Sequence, residues 1–100
     1  MIDTRKLPFH RVLLKPSLHI AASGFLYDRE NGESYTVNAA GAVIFRSLQE
    51  NSSVVRAWEE VARHFGISTK RAQWDTLRFL ARLRELHLAS FAMTLEPTHA

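Results

Sequence analysis

The stretch STKRAQWDTLRFLARLREL, residues 68–86, most constrains what this chain can become. Ser68 can cap a helix by accepting an orphan backbone N–H. No proline or glycine interrupts residues 69–86, so a long helix is expected to run to about Leu86. At about 100° per residue, Ala72, Thr76, Phe79, Leu80, Leu83 and Leu86 gather on one side as a core stripe. Trp74, Leu77 and Ala81 fall on nearly the opposite side, flanked by Arg78 and Arg84. A surface helix ordinarily carries one apolar stripe. Two stripes mean that this helix is covered on its second side too, by an arm or tail of the same chain or by a partner lying in an apolar groove.

Everything upstream arranges itself before this helix. Phe25-Leu26-Tyr27 and Tyr35-Thr36-Val37 are runs of strand formers on either side of Asn31-Gly32, a dipeptide suited to the positive φ angles of a tight hairpin turn. A third strand is expected within residues 18–22. Asn38 then caps a first helix whose apolar face is Ala40, Val43, Ile44 and Leu48 and which ends near Asn51. Ser52 or Ser53 caps a second, with Val54, Ala57, Trp58, Val61, Ala62 and Phe65 at helical spacing and Gly66 as its left-handed stop. Strands segregated ahead of helices define a small α+β domain: an N-terminal β-hairpin or three-stranded sheet followed by a three-helix, winged-helix-like core. Residues 1–16, with Pro8 and Pro16 as breakers, are expected to form an extended N-terminal arm. Residues 17–88 form the domain, and residues 89–100 a C-terminal tail containing a late strand or a packed arm.

Catalytic chemistry finds no foothold here. His10, His19, His64, His87 and His99 lack metal-ligand spacing, and the chain has no cysteine. Gly24, Gly32, Gly41 and Gly66 stand alone rather than in a phosphate loop, and Glu59 and Glu60, adjacent on a helix, point in different directions. The expectation is a chain that is not an enzyme and takes no cofactor or metal. No apolar run approaches the length of a membrane span, and residues 1–6 lead into no signal-like stretch, so a cytoplasmic location is expected.

The net charge of +3 concentrates on helix three, where Lys70, Arg71, Arg78, Arg82 and Arg84 face only Asp75 and Glu85. Together with Ala62, Gly66 and the Ser68 cap, this resembles a helix-turn-helix, so a DNA-binding transcriptional regulator is the alternative reading. Against it, the clear hairpin lies before the first helix rather than after the third. A third reading uses the exposed stripe for a homodimer.

The order Leu26-Tyr27-Asp28, Asn31-Gly32, Tyr35-Thr36-Val37-Asn38, Gly41 and Ile44, then Asp75, Phe79, Leu80, Leu83 and Leu88, resembles the PqqD-like family. The likeness runs from about residue 18 to residue 88. In that family an Asp-Gly pair commonly follows helix one, where this chain has Glu50-Asn51. A glycine often precedes the closing Leu, where it has His87. The resemblance implies a peptide chaperone, the recognition element for ribosomally made, modified peptides. Such a domain binds the leader segment of a precursor peptide and presents it to a maturation enzyme such as a radical-SAM enzyme, a cyclase or a leader protease. It further implies strand addition along Ser34, Tyr35, Thr36 and Val37. Trp74, Leu77 and Ala81 are then expected to supply apolar pockets on helix three, and Arg71, Arg78 and Arg82 to select acidic side chains.

Overall fold

The computed structural model describes residues 11–92 of the chain. Strands β1 (Arg11–Leu14), β2 (Leu18–Ile20), β3 (Phe25–Asp28) and β4 (Ser34–Thr36) precede helices α1 (Ala39–Asn51), α2 (Val54–Phe65) and α3 (Thr69–Glu85), and β5 (Ala89–Ala92) closes the order. The α+β class stands as expected, with three strands rather than a bare hairpin: β2, β3 and β4 form an antiparallel sheet in that order. Part of the expected arm and tail also becomes strand. β1 pairs antiparallel with β5 as a second, two-stranded sheet, in the register Val12↔Phe91. Residues 1–10 and 93–100, the remainder of that arm and tail, lie outside the described residues.

The caps fall where their side chains allow. Asn38 accepts from the Gly41 amide at 2.7 Å, Ser53 from Arg56 at 3.2 Å and Ser68 from Arg71 at 3.1 Å. The hairpin differs from the tight turn expected at Asn31-Gly32. The Asp28 amide donates to the Glu33 carbonyl, and the Gly32 amide to the Asp28 carbonyl, so four residues close the loop. Gly32 has φ 75° and Asn31 is not left-handed. One left-handed glycine at the end of a helical turn is enough in a loop of this length. Asn31 serves through its side chain, accepting from the Glu33 amide at 2.9 Å. One of the two departures from the family pattern, and a residue adjoining the other, carry a backbone constraint. His87 sits at φ 58°, and Ser52, next to Glu50-Asn51, at φ 64°. Both positions demand the left-handed region that glycine adopts without cost.

Val12, Leu18, Leu26, Phe45, Leu48, Trp58 and Val61 meet Ala72, Leu80, Leu83 and Leu88 in one core. Lys15 joins the two sheets around it. Its amide donates to the Leu88 carbonyl at 2.8 Å, while its ammonium donates to Asp28 Oδ2 at 2.7 Å. The Asp28 side chain is fully buried. The Lys15 ammonium, helped by the Glu30 amide bonded to Oδ1, holds that carboxyl down to about 2 from an ordinary 3.8.

Leu83→Ala should cost about 2–5 kcal/mol, because Leu83 is buried at 2% exposure, whereas Trp74→Ala, with the ring 55% exposed, should cost far less; urea titrations compare them. The buried carboxylate generates a second expectation. A carboxyl whose folded pKa is depressed stabilises the fold above its unfolded value and loses that contribution as pH falls toward the folded one. The native chain should therefore lose stability steeply from pH 3.8 down to about 2. Asp28→Asn should be less stable at neutral pH and shallower through the same window, as measured by denaturation at stepped pH. Parallel acid profiles would show that the Lys15–Asp28 pair does not stabilise the fold.

Candidate functional site

β4 is an edge strand with no partner beyond β3 among the described residues. The Asp28–Glu33 bond fixes which of its groups are free. Hydrogen-bonded and non-bonded pairs alternate along an antiparallel ladder. Stepping from Asp28–Glu33, the next bonded pair is Leu26–Tyr35, and the pairs Tyr27–Ser34 and Phe25–Thr36 are non-bonded. The amides and carbonyls of Ser34 and Thr36 thus face the open edge. Side chains divide the other way. Ser34 and Thr36 are exposed, while Tyr35 and Val37 are half-buried and lean on the core, so this is the face that meets the helices.

Between β4 and α3 lies a cleft of about 490 Å³. Buried Leu26, Leu83 and Leu88 make its floor. Tyr35 and Val37 wall it on the strand side, and Phe79, Arg82 and Leu86 on the helix side. A second cleft, of about 690 Å³, adjoins it past the end of β4, and the two share Asn38, Phe79 and Arg82. Here α3 presents Arg71, Asp75 and Arg78 toward the start of α1, and Phe65 and Ile67 close the far end. Gly41 sets the separation of α1 and α3. A Cβ placed on it would lie 2.9 Å from Phe79 Cε1 and 3.1 Å from Cδ1, so only glycine leaves that ring undisturbed.

Of the residues singled out from sequence, Ser34, Tyr35, Thr36 and Val37 line the first cleft, Arg71 and Arg78 the second, and Arg82 both. Trp74, Leu77 and Ala81 line neither. They stand on the flank of α3 away from β4, where Leu77 packs partly on the core and Arg84 lies 5.8 Å from the Phe91 ring of β5. The apolar walls expected from Trp74 and Leu77 are built by Phe79 and Leu86 instead. Those two are half-buried and pack against the edge of the core, and the fully buried stripe is Ala72, Gln73, Thr76, Leu80 and Leu83. A helical wheel groups Phe79 and Leu86 with the core because they lie at its edge. Only a buried Gln73 on the other edge shows that the true stripe is turned away from them. Local sequence marks Asn38 as a cap, Phe65 as a core position and Ile67 as part of a turn, and nothing in that pattern marks them as cleft residues.

Among the described residues no group of His, Asp and Glu is arranged to hold a metal ion, and no helix is long and apolar enough to cross a membrane. A search of curated proteins finds no match. Among solved structures, the one described as "Lasso peptide synthetase B1 complexed with the leader peptide" is similar to this chain. It has a TM-score of 0.66 at 22% identity, over 80% of this chain and 98% of that one. A likeness at that identity speaks to the fold, which is shared. The model of the family described as "Coenzyme PQQ synthesis protein D (PqqD)" matches residues 24–89, from the start of the hairpin through all three helices to β5. By that match over the greater part of its length, the chain belongs to the PqqD family.

Proposed function

We propose that this chain is a non-catalytic adaptor that binds the leader segment of a precursor peptide as an added strand on β4 and presents it to a maturation enzyme, such as a radical-SAM enzyme, a cyclase or a leader protease. The observation that carries the reading is the coincidence of two features. The outward amides and carbonyls of Ser34 and Thr36 run alongside an apolar cleft walled by Tyr35, Val37, Phe79 and Leu86. Backbone pairing supplies affinity that tolerates many sequences, and pockets for alternate side chains supply selectivity. Family membership supports the reading, as does a structural neighbour that is itself described in complex with a leader peptide. The DNA-binding alternative gains nothing from either comparison. The three-stranded sheet also lies ahead of α1, and the only strand after α3 among the described residues, β5, is paired with β1.

Peptides selected from a random dodecapeptide display library provide the probe. On binding, the amides of Ser34 and Thr36 should exchange with solvent far more slowly, while the Tyr35 amide, turned toward β3, is protected with and without peptide. Thr36→Pro removes an edge donor and no ladder bond, so the fold should survive while affinity drops by about tenfold or more. Unchanged exchange at Ser34 and Thr36 in the presence of saturating peptide would place the binding site elsewhere.

The cleft makes its own prediction. Gly41→Ala keeps the helix but forces the Phe79 ring to move. It should leave the melting temperature within a few degrees and weaken the same peptides by about tenfold, whereas Trp74→Ala, on the far flank, should leave their affinity unchanged. Isothermal titration of both variants decides between the two flanks of α3.

A further inference from the structure

The larger cleft has no role in strand addition as such, yet it is continuous with the strand site. We infer that it is a second subsite, which takes an acidic side chain with a bulky apolar neighbour from the part of the peptide preceding its strand-forming segment. The inference rests on the strand-addition reading above and adds to it a ligand chemistry and a direction.

Charge sets the chemistry. Arg71, Arg78 and Arg82 line the cleft against one carboxylate, Asp75. All three arginines are exposed, and the ion pairs among the described residues, Lys15 with Asp28 and Glu30 and Arg63 with Glu60, leave them out. Their guanidinium groups are therefore available to a peptide carboxylate, which a planar donor fork can hold by two bonds at once. The apolar half of the cleft is equally open. Phe65 is 39% exposed, and the half-buried Ile67 and Phe79 face the same space. An aromatic or leucine side chain next to the acid would cover them.

The sheet sets the direction. Both of its pairings are antiparallel, and antiparallel pairing is the slightly stronger kind. A strand added to β4 in the same sense runs from the Asn38 end toward Ser34, so its preceding residues lie past Asn38, in the arginine cleft. At the other end, Glu33 stands exposed just before β4 and disfavours a second acid there. The arginine end of the site is therefore the more favourable place for a peptide acid.

The test is panning of the random dodecapeptide library on the native chain and on Arg71→Gln/Arg78→Gln. On the native chain, enriched peptides should carry Asp or Glu beside a bulky apolar residue, on the N-terminal side of an alternating apolar segment. Synthetic copies should bind the double variant about tenfold or more weakly, and changing the peptide's own Glu to Gln should cost the native chain the same factor. The peptide substitution reads the contact without altering the protein. If the acid is not enriched, is enriched on the C-terminal side, or binds both proteins alike while Ser34 and Thr36 amides are still protected, the subsite is wrong and strand addition stands. If the selected peptides leave those amides unprotected, both fall together.

Discussion

The rotation of α3 about its own axis decides most of what this molecule presents to a partner. Burial of Ala72, Gln73, Thr76, Leu80 and Leu83 sets that rotation. With those side chains inward, Phe79, Arg82 and Leu86 come to face β4, and Arg71 and Arg78 face the start of α1. Trp74 turns to the opposite flank. A helix side chain cannot change flank without rotating the whole helix, and rotating α3 would pull Leu80 and Leu83 from the core, at about 2–5 kcal/mol for each. The clefts are thus a by-product of core packing. Their walls are held by the same contacts that hold the domain together.

The rest of the fold keeps the sheet's free edge beside that helix. The Lys15 ammonium pairs with buried Asp28 at the end of β3, and its amide bonds to Leu88 just past α3. One residue therefore ties the hairpin to the segment that leaves the helix. β1 and β5 pair with each other, and Val12 is fully buried on the core. They give the ends of the domain a sheet of their own and leave β4 unextended. An unpaired edge without charge or proline, as at Ser34-Tyr35-Thr36, is a template for another strand. On the proposed reading, the apolar cleft beside it makes that edge selective, since an added strand would dock fully only when its alternate side chains fill the pockets.

Gly41 and Phe79 show how finely the cleft is set. The absent Cβ lets the ring lie against the first turn of α1, where it walls both clefts at once. In the proposed subsite Asp75 offsets one of the three arginines, which favours a single acid over an acidic run. Selectivity of this kind comes from spacing between elements, which no single element carries.

Local chemistry sufficed for the parts of this protein that depend on neighbours in sequence. The capping side chains of Asn38, Ser53 and Ser68 start the three helices because a cap acts over three residues. The alternation around Leu26 and Tyr35 marks the paired strands, the order of strands and helices marks the α+β class, and the run of residues from Leu26 to Leu88 carries the likeness to the family. The likeness to the family also pointed a proposed site at β4 and α3, with charge from Arg71, Arg78 and Arg82. It did not decide which flank of α3 borders the strand. Phe79 and Leu86 at one edge of the stripe and Leu77 at the other are equally apolar, and the choice rests on the packing of α3 against α1 and α2, where Gln73 is buried against the usual preference. A late strand in the tail is one expectation, but the sequence did not reveal that residues 11–14 and 89–92 pair, because that ladder joins positions far apart in the chain. Which face of β4 turns inward, how its outward amides alternate, and the meeting of Phe65, Ile67 and Arg71 in one cleft were settled only when the elements came together, since each depends on distances between segments that local preference does not encode.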